Sequence, residues 1–140
     1  MNAAYRRIIQ SRTFISSKGI IMSSSFGTET LALRITMVTP DQYYTCQFTV
    51  EKGYQCVVGR SDKQNAFYPM VDLNELGGYR MGVSRMHAVF ELINGHLHVT
   101  DTSSNGTFIN ETRLTKDTPT RLENHSTVTF GELTFHVYVQ

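Results

Sequence analysis

The sequence carries almost no net charge and very few cysteines. Thirteen lysines and arginines against twelve aspartates and glutamates give a formal net charge of +1 over 140 residues. Because proteins that bind nucleic acid or anionic membranes through bulk electrostatics are strongly basic, neither partner is expected. Two cysteines, Cys46 and Cys56, are too few for a disulfide framework and fit no metal-ligand spacing. We expect both to be buried thiols.

Long hydrophobic runs are also missing. No stretch approaches the roughly 20 apolar residues of a membrane-spanning helix. The short apolar patch Gly19-Ile20-Ile21-Met22 is too brief for the core of a secretory signal peptide. The sequence therefore predicts a cytoplasmic protein with no membrane partner.

Motifs that bind cofactors or perform catalysis are absent. The chain contains no Walker or dinucleotide-binding glycine pattern, so no nucleotide cofactor is expected. It also lacks the Gly-x-Ser-x-Gly turn that presents a catalytic serine in many hydrolases. His96 and His98 share a strand face but have no cysteine or acidic partner at ligand spacing. An exposed strand face is a better interpretation of this pair than a metal site.

What the sequence does contain is repeated alternation with a period of two. Leu31, Leu33, Ile35 and Met37 alternate with smaller or polar residues, which is typical of a half-buried strand. The same pattern recurs from residue 44 to 50, and Tyr54, Cys56 and Val58 are predicted to continue the inward face. No window of the domain shows helical periodicity. Many short strands separated by turn residues indicate an antiparallel sandwich or barrel.

The first 28 residues differ from the rest in composition. They contain several arginines and serines, and no acidic residue occurs before Glu29. We interpret residues 1–28 as a disordered basic tail and residues 29–140 as one folded domain. A transit peptide, a start codon assigned upstream of Met22 and an autoinhibitory segment remain open alternatives. In the last case a phosphorylated Thr13, Thr28 or Thr30 would occupy the domain's own binding site.

Two polar clusters flank a predicted hairpin in the stretch from Val83 to Asn110. The dipeptide Asn94-Gly95 is the strongest short hairpin signal in the chain. Since a hairpin returns its two ends to the same place, the clusters 84–87 and 101–107 should be spatial neighbours. They offer hydroxyls, an amide and a guanidinium on adjacent loops. Such a set suits an anion.

Three motifs occur in order: Gly59-Arg60, Ser84-x-x-His87 and Ser103-x-Asn105-Gly106. Together they resemble the forkhead-associated (FHA) domain, a family of phosphothreonine-peptide-binding β-sandwiches. The resemblance covers roughly Leu31 to the C-terminus. It implies an all-β fold, an antiparallel β-sandwich of about eleven short strands.

The resemblance also implies a set of site residues. A phosphate carries about −1.5 to −2 charge and needs a forked cation with several donors. The residues expected to bind the phosphopeptide are Arg60, Ser84, Arg85, Ser104 and Asn105. Those expected to support the site structurally are Gly59, His87, Ser103, Gly106 and Thr107. The loop from Ser61 to Val83 looks long for the family, so partner specificity does not transfer.

The expected function is therefore binding without chemistry. The protein would be an adaptor in signal transduction that recognises partners phosphorylated on threonine by a Ser/Thr kinase, and it would need no cofactor. The alternative is a structural β-sandwich module that binds proteins without phosphate. A hydrolase using Ser84 and His87 is a further alternative, but it would need an orienting acid and an oxyanion hole.

Overall fold

A computed structural model describes residues 20–22, 29–37 and 43–140. Within these ranges the chain forms twelve strands and two three-residue 3₁₀ turns, Lys63–Asn65 and Asn74–Leu76. The strands are β1 Ile20–Met22, β2 Glu29–Met37, β3 Thr45–Glu51, β4 Cys56–Gly59, β5 Val71–Asp72, β6 Met86–Ile93, β7 His96–Asp101, β8 Thr107–Ile109, β9 Thr112–Arg113, β10 Thr120–Arg121, β11 Thr127–Phe130 and β12 Leu133–Val139. No helix in the described ranges is long and apolar enough to cross a membrane.

The strands form two sheets. The first has the order β1-β2-β12-β11-β8-β9, with β3 also paired to β2, and the second has the order β10-β7-β6-β4-β5. All described pairs of strands are antiparallel except β4 and β5, which are parallel. The predicted all-β sandwich is confirmed, with this one parallel pair as a difference.

Inward-facing side chains of both sheets form a single core. Phe48 of the first sheet lies 5.7 Å, ring centroid to ring centroid, from Phe90 of the second, and Phe90 lies 6.3 Å from Phe130. Both cysteines are buried on these faces, as the alternation predicts. Interdigitated aromatic rings of this kind hold two sheets together through their large apolar area.

One prediction of an inward side chain is wrong. Tyr54 is 66% exposed rather than buried. Strand β3 ends at Glu51, and the chain turns through Lys52 and Gly53, whose φ is +85°, before β4 begins at Cys56. Tyr54 lies outside both strands, so the alternation that correctly places Cys56 and Val58 in the core does not extend to it.

The predicted hairpin forms between β6 and β7. Asn94 and Gly95 have φ values of +52° and +77°, the left-handed conformations that a tight type I′ turn requires. The register pairs Ile93 with His96 and Ala88 with Asp101. The beginning of β6 therefore lies beside the end of β7, so the two polar clusters become neighbours as expected.

The N-terminal segment is described only in part. Strand β1 lies within the range predicted to be a tail and pairs with β2, from Ile20 opposite Leu31 to Met22 opposite Glu29. The rest of residues 1–28, with Thr13 and Thr28, lies outside the described residues. Thr30 lies in β2 between Ile21 and Glu51, at the opposite end of that strand from the binding loops. Capture of Thr30 by the domain's own site is therefore excluded unless β2 unpairs.

Candidate functional site

Loops from both sheets meet at one end of the sandwich. They follow β4, precede β6, connect β7 to β8 and connect β11 to β12. The Gly131 amide donates to the Gly106 carbonyl at 3.1 Å, and the Glu132 amide donates to the Met81 carbonyl at 2.8 Å. These backbone bonds join three of the loops into one surface.

Gly59 allows β4 and β6 to approach closely at the edge of this surface. A Cβ on Gly59 would overlap the carbonyl oxygen of Arg85, so no other residue fits without moving backbone. The strand register shifts between Val58 and Gly59, and the Arg60 amide then donates to the Arg85 carbonyl at 3.1 Å. Gly59 thus lets Arg60 leave the strand directly beside β6, and its supporting role in the site stays a prediction.

The Arg60 guanidinium is fixed in orientation. Its Nε donates to the Val83 carbonyl at 3.0 Å, and its Cζ lies 5.0 Å from the centroid of the Tyr79 ring. A hydrogen bond at Nε together with a cation–π contact sets the plane of the guanidinium. That arrangement suits bidentate binding of an oxyanion.

His87 ties Ser84 to the loop after β7. The ring is fully buried, the Ser84 amide donates to Nδ1 at 2.9 Å, and Nε2 lies 2.9 Å from the Gly106 carbonyl. Since Nδ1 accepts, the proton must be on Nε2, which donates to Gly106. Burial lowers the pKa of His87 below 6.5, partly opposed by the bond to Gly106 and the charge of Asp101. The imidazole is therefore neutral at pH 7.

Asp101 organises the loop between β7 and β8. Its Oδ1 accepts hydrogen bonds from the Ser103 amide (3.0 Å), the Ser103 hydroxyl (2.6 Å) and the Thr107 hydroxyl (2.8 Å). The Gly106 amide in turn donates to Ser103 Oγ at 2.7 Å. Ser103, Gly106 and Thr107 are thus joined in one hydrogen-bond network, and their supporting role in binding stays a prediction. Asp101, on which their bonds converge, was not predicted as a site residue.

Three of the predicted ligand-binding residues come together over this framework. The Ser104 amide donates to Ser84 Oγ at 3.1 Å, and Asn105 Nδ2 donates to the Gly82 carbonyl at 3.0 Å. Ser104 and Asn105 are both exposed. Arg60 donates to the carbonyl of Val83, and Asn105 donates to the carbonyl of the adjacent Gly82. The guanidinium of Arg60 and the side-chain amide of Asn105 therefore lie on either side of the same short stretch of chain.

Arg85 is placed differently from the other predicted residues. Its Nη1 lies 3.1 Å from Oδ2 of Asp62, in the loop after β4. The Arg85 side chain is 57% exposed and that of Asp62 17% exposed. The guanidinium at this position already has an anionic partner, which the sequence motifs did not indicate.

A cleft of about 320 Å³ opens next to Asn105. The residues that line it are Arg80, Met81, Gly82, Asn105, Phe108, Gly131 and Glu132. The cleft brings together three loops that are distant in sequence, and no short motif marks it. Because Asn105 lines the cleft, a ligand bound at Asn105 would lie beside it.

The Ser84–His87 pair is not arranged for nucleophilic catalysis. A general base must accept the proton of the attacking hydroxyl, yet Nδ1 of His87 accepts the backbone amide of Ser84 and Nε2 bonds to a carbonyl. Both ring nitrogens therefore have structural partners. In the part of the chain described, no cluster of three or more histidine, cysteine or acidic side chains could hold a metal ion.

Comparison with known proteins places this site in a family. The FHA domain model matches residues 56–131, more than half of the chain, and that range includes every predicted site residue. The chain therefore belongs to the FHA domain family. No curated protein matches it.

Solved structures with the same fold include phosphopeptide complexes. The N-terminal FHA domain of S. cerevisiae Rad53p, in complex with a phosphothreonine peptide, is 19% identical with a TM-score of 0.63, over 79% of this chain and 94% of that one. The FHA domain of yeast Dun1, with a doubly phosphorylated peptide, is 25% identical with a TM-score of 0.58, over 76% and 73%. The FHA domain of an Arabidopsis thaliana hypothetical protein is 24% identical with a TM-score of 0.59, over 77% and 85%.

Proposed function

We propose that this protein is a phosphothreonine-dependent protein-binding module that performs no chemistry itself. The observation that carries the proposal is the placement of Arg60, Ser84, Ser104 and Asn105 on one loop surface, held by buried bonds beneath it. A fixed guanidinium with neutral donors around it suits a phosphate dianion. Structures with this fold have been solved with phosphothreonine peptides.

The expected affinity is moderate. Charge-assisted hydrogen bonds contribute about 1.5–3 kcal/mol each, and a micromolar complex corresponds to roughly 8 kcal/mol. Three such bonds to the phosphate would supply most of that free energy before the ordering of the peptide is subtracted. The phosphate would therefore decide whether binding occurs, and contacts to flanking residues would decide which partner binds.

The cleft beside Asn105 is the proposed place for those flanking contacts. Met81 and Phe108 are half-buried there, while Arg80 and Glu132 are exposed at its rim. A side chain that enters the cleft would meet apolar surface and two opposite charges. The kinase that phosphorylates the partner and the cytoplasmic location remain predictions from the sequence.

The experiment is a screen of an immobilised peptide library with a fixed phosphothreonine and degenerate flanking positions. The control is the same library with unphosphorylated threonine. We expect selection of a sequence subset from the phosphorylated library and none from the control. Equal capture from both would instead support the alternative, a module that binds proteins without phosphate.

A further inference from the structure

Asp62 is held firmly in a short loop directly after Arg60. Its backbone amide and carbonyl both bond to Phe67 at 2.9 Å, closing the loop around the turn Lys63–Asn65. Its Oδ1 accepts the Gln64 amide at 3.2 Å, and its Oδ2 accepts Asn65 Nδ2 at 2.7 Å. These contacts fix the position of the carboxylate independently of Arg85.

The carboxylate is ionised at neutral pH. The hydrogen bond from Asn65 lowers the pKa of Asp62 below 3.8, against a weaker opposing effect of burial, and the bond from Arg85 lowers it further. Asp62 therefore presents a full negative charge 3.1 Å from the guanidinium of Arg85.

Arg85 lies within the site by its backbone, although its side chain points to Asp62. Its carbonyl accepts the Arg60 amide, and its neighbour Ser84 contacts Ser104. At 57% exposure the Arg85 side chain has room to change rotamer. The binding surface thus includes a second cation, on a residue whose backbone bonds to Arg60, and a carboxylate of the same chain neutralises it.

We propose that Asp62 is an internal counter-ion of Arg85, and that this ion pair must break when an anionic ligand binds through Arg85. The inference rests on the proposed function. A carboxylate ligand offers Arg85 the same single charge that Asp62 already supplies, so the exchange gains little. A phosphate, with about −1.5 to −2 charge and three acceptor oxygens, offers more. Asp62 thereby lowers the affinity for every anion that binds through Arg85, because breaking the Asp62–Arg85 ion pair costs the same whichever anion replaces the carboxylate.

The test is the substitution Asp62→Asn, which keeps an Oδ1 acceptor for the Gln64 amide and removes the charge. The probes are a phosphothreonine peptide selected from the library and the same peptide with glutamate in place of phosphothreonine. Because exposed ion pairs are weak, we expect Asp62→Asn to raise affinity for the phosphopeptide about two- to fivefold. The gain for the glutamate peptide should be no larger, because a single carboxylate gains less from a freed Arg85 than a phosphate does.

A double-mutant cycle with Arg85→Gln isolates the part of the Asp62 effect on binding that depends on its ion pair with Arg85. If Asp62 acts through Arg85, Asp62→Asn should leave affinity unchanged in the Arg85→Gln background. The matched control is Glu123→Gln, which makes the same change in net charge at an exposed ion pair with Arg121, 3.0 Å long. Glu123 follows β10 toward the end of the sandwich opposite the binding loops, so this variant should bind as the wild type does.

The affinities of these variants decide whether Asp62 acts as the counter-ion of Arg85. Unchanged or weaker phosphopeptide binding by Asp62→Asn would overturn the inference, as would a gain that persists without Arg85 or a gain of equal size in Glu123→Gln. Failure of the proposed function looks different, because the wild type would then bind phosphorylated and unphosphorylated libraries alike. That result would overturn both proposals, whereas the preceding ones would overturn only the role of Asp62.

Discussion

Replacing His87 with alanine should lower both stability and phosphopeptide binding. The substitution removes a fully buried ring that accepts the Ser84 amide, donates to the Gly106 carbonyl and packs edge-to-face on Phe130, with centroids 5.8 Å apart. The buried Gly106 carbonyl loses one of its two donors but keeps the Gly131 amide, so the lost hydrogen bond costs about 0.5–1.5 kcal/mol. The partly exposed Ser84 amide can rebond to water and should cost less.

The cavity left by the ring adds to this loss. Removing a large buried side chain costs roughly 2–5 kcal/mol, and the cost is smaller when the surroundings can collapse or admit water. Taking the lower part of that range for a polar ring, the total is about 3–4 kcal/mol. At about 4 °C per kcal/mol for a domain of this size, the melting temperature should fall by roughly 12–16 °C.

The assay is thermal unfolding followed by circular dichroism, with calorimetric titration of the selected phosphopeptide at a temperature where the variant is folded. The matched control is Ser84→Ala, which removes only a hydroxyl that accepts the Ser104 amide at the surface. The control should melt within a few degrees of the wild type and bind more weakly. If Ser84→Ala melts much earlier while His87→Ala does not, the two roles have been assigned in reverse.

Three further predictions follow from the same geometry. Gly59→Ala should destabilise the domain by about 1–3 kcal/mol, because its Cβ would overlap the Arg85 carbonyl, and an unchanged denaturation midpoint would contradict this. The free energy of unfolding should fall as the pH drops below 6.5, by up to about 1.4 kcal/mol per pH unit, because His87 takes up a proton more readily in the unfolded chain than in the folded one. In His87→Gln this part of the pH dependence should disappear. Tyr79→Ala should weaken phosphopeptide binding severalfold by releasing the Arg60 guanidinium, while Tyr79→Phe should bind normally, and equal loss in both would refute a ring-face contact.

The features of the fold that were predicted correctly follow from rules about residues close together in sequence. A tight turn at Asn94-Gly95 and alternation of period two each involve neighbouring residues, so they can be read without knowledge of tertiary structure. The motif residues also assembled as expected, because the hairpin brings both polar clusters to one end. Where alternation was extended beyond the strand, to Tyr54 ahead of β4, the prediction of a buried side chain was wrong.

What was missed depends on contacts between distant loops. Asp62 and Arg85 are 23 residues apart, and nothing periodic between them indicates that the carboxylate and the guanidinium meet. The cleft beside Asn105 likewise needs the loop after β11 to lie over Met81. Asp101 was visible as a polar residue at a strand end, but only the structure shows that three donors converge on one of its oxygens.

The central claim is that a phosphate is bound through Arg60. The most direct measurement is isothermal titration of the library-selected phosphothreonine peptide into the wild type, Arg60→Ala and Arg60→Lys, each first shown to be folded by its melting curve. We expect micromolar binding by the wild type, none detectable with Arg60→Ala, and strongly weakened binding with Arg60→Lys, because an ammonium group cannot make two parallel hydrogen bonds to a phosphate. Wild-type affinity in a folded Arg60→Ala protein would show that the phosphate is not bound through Arg60.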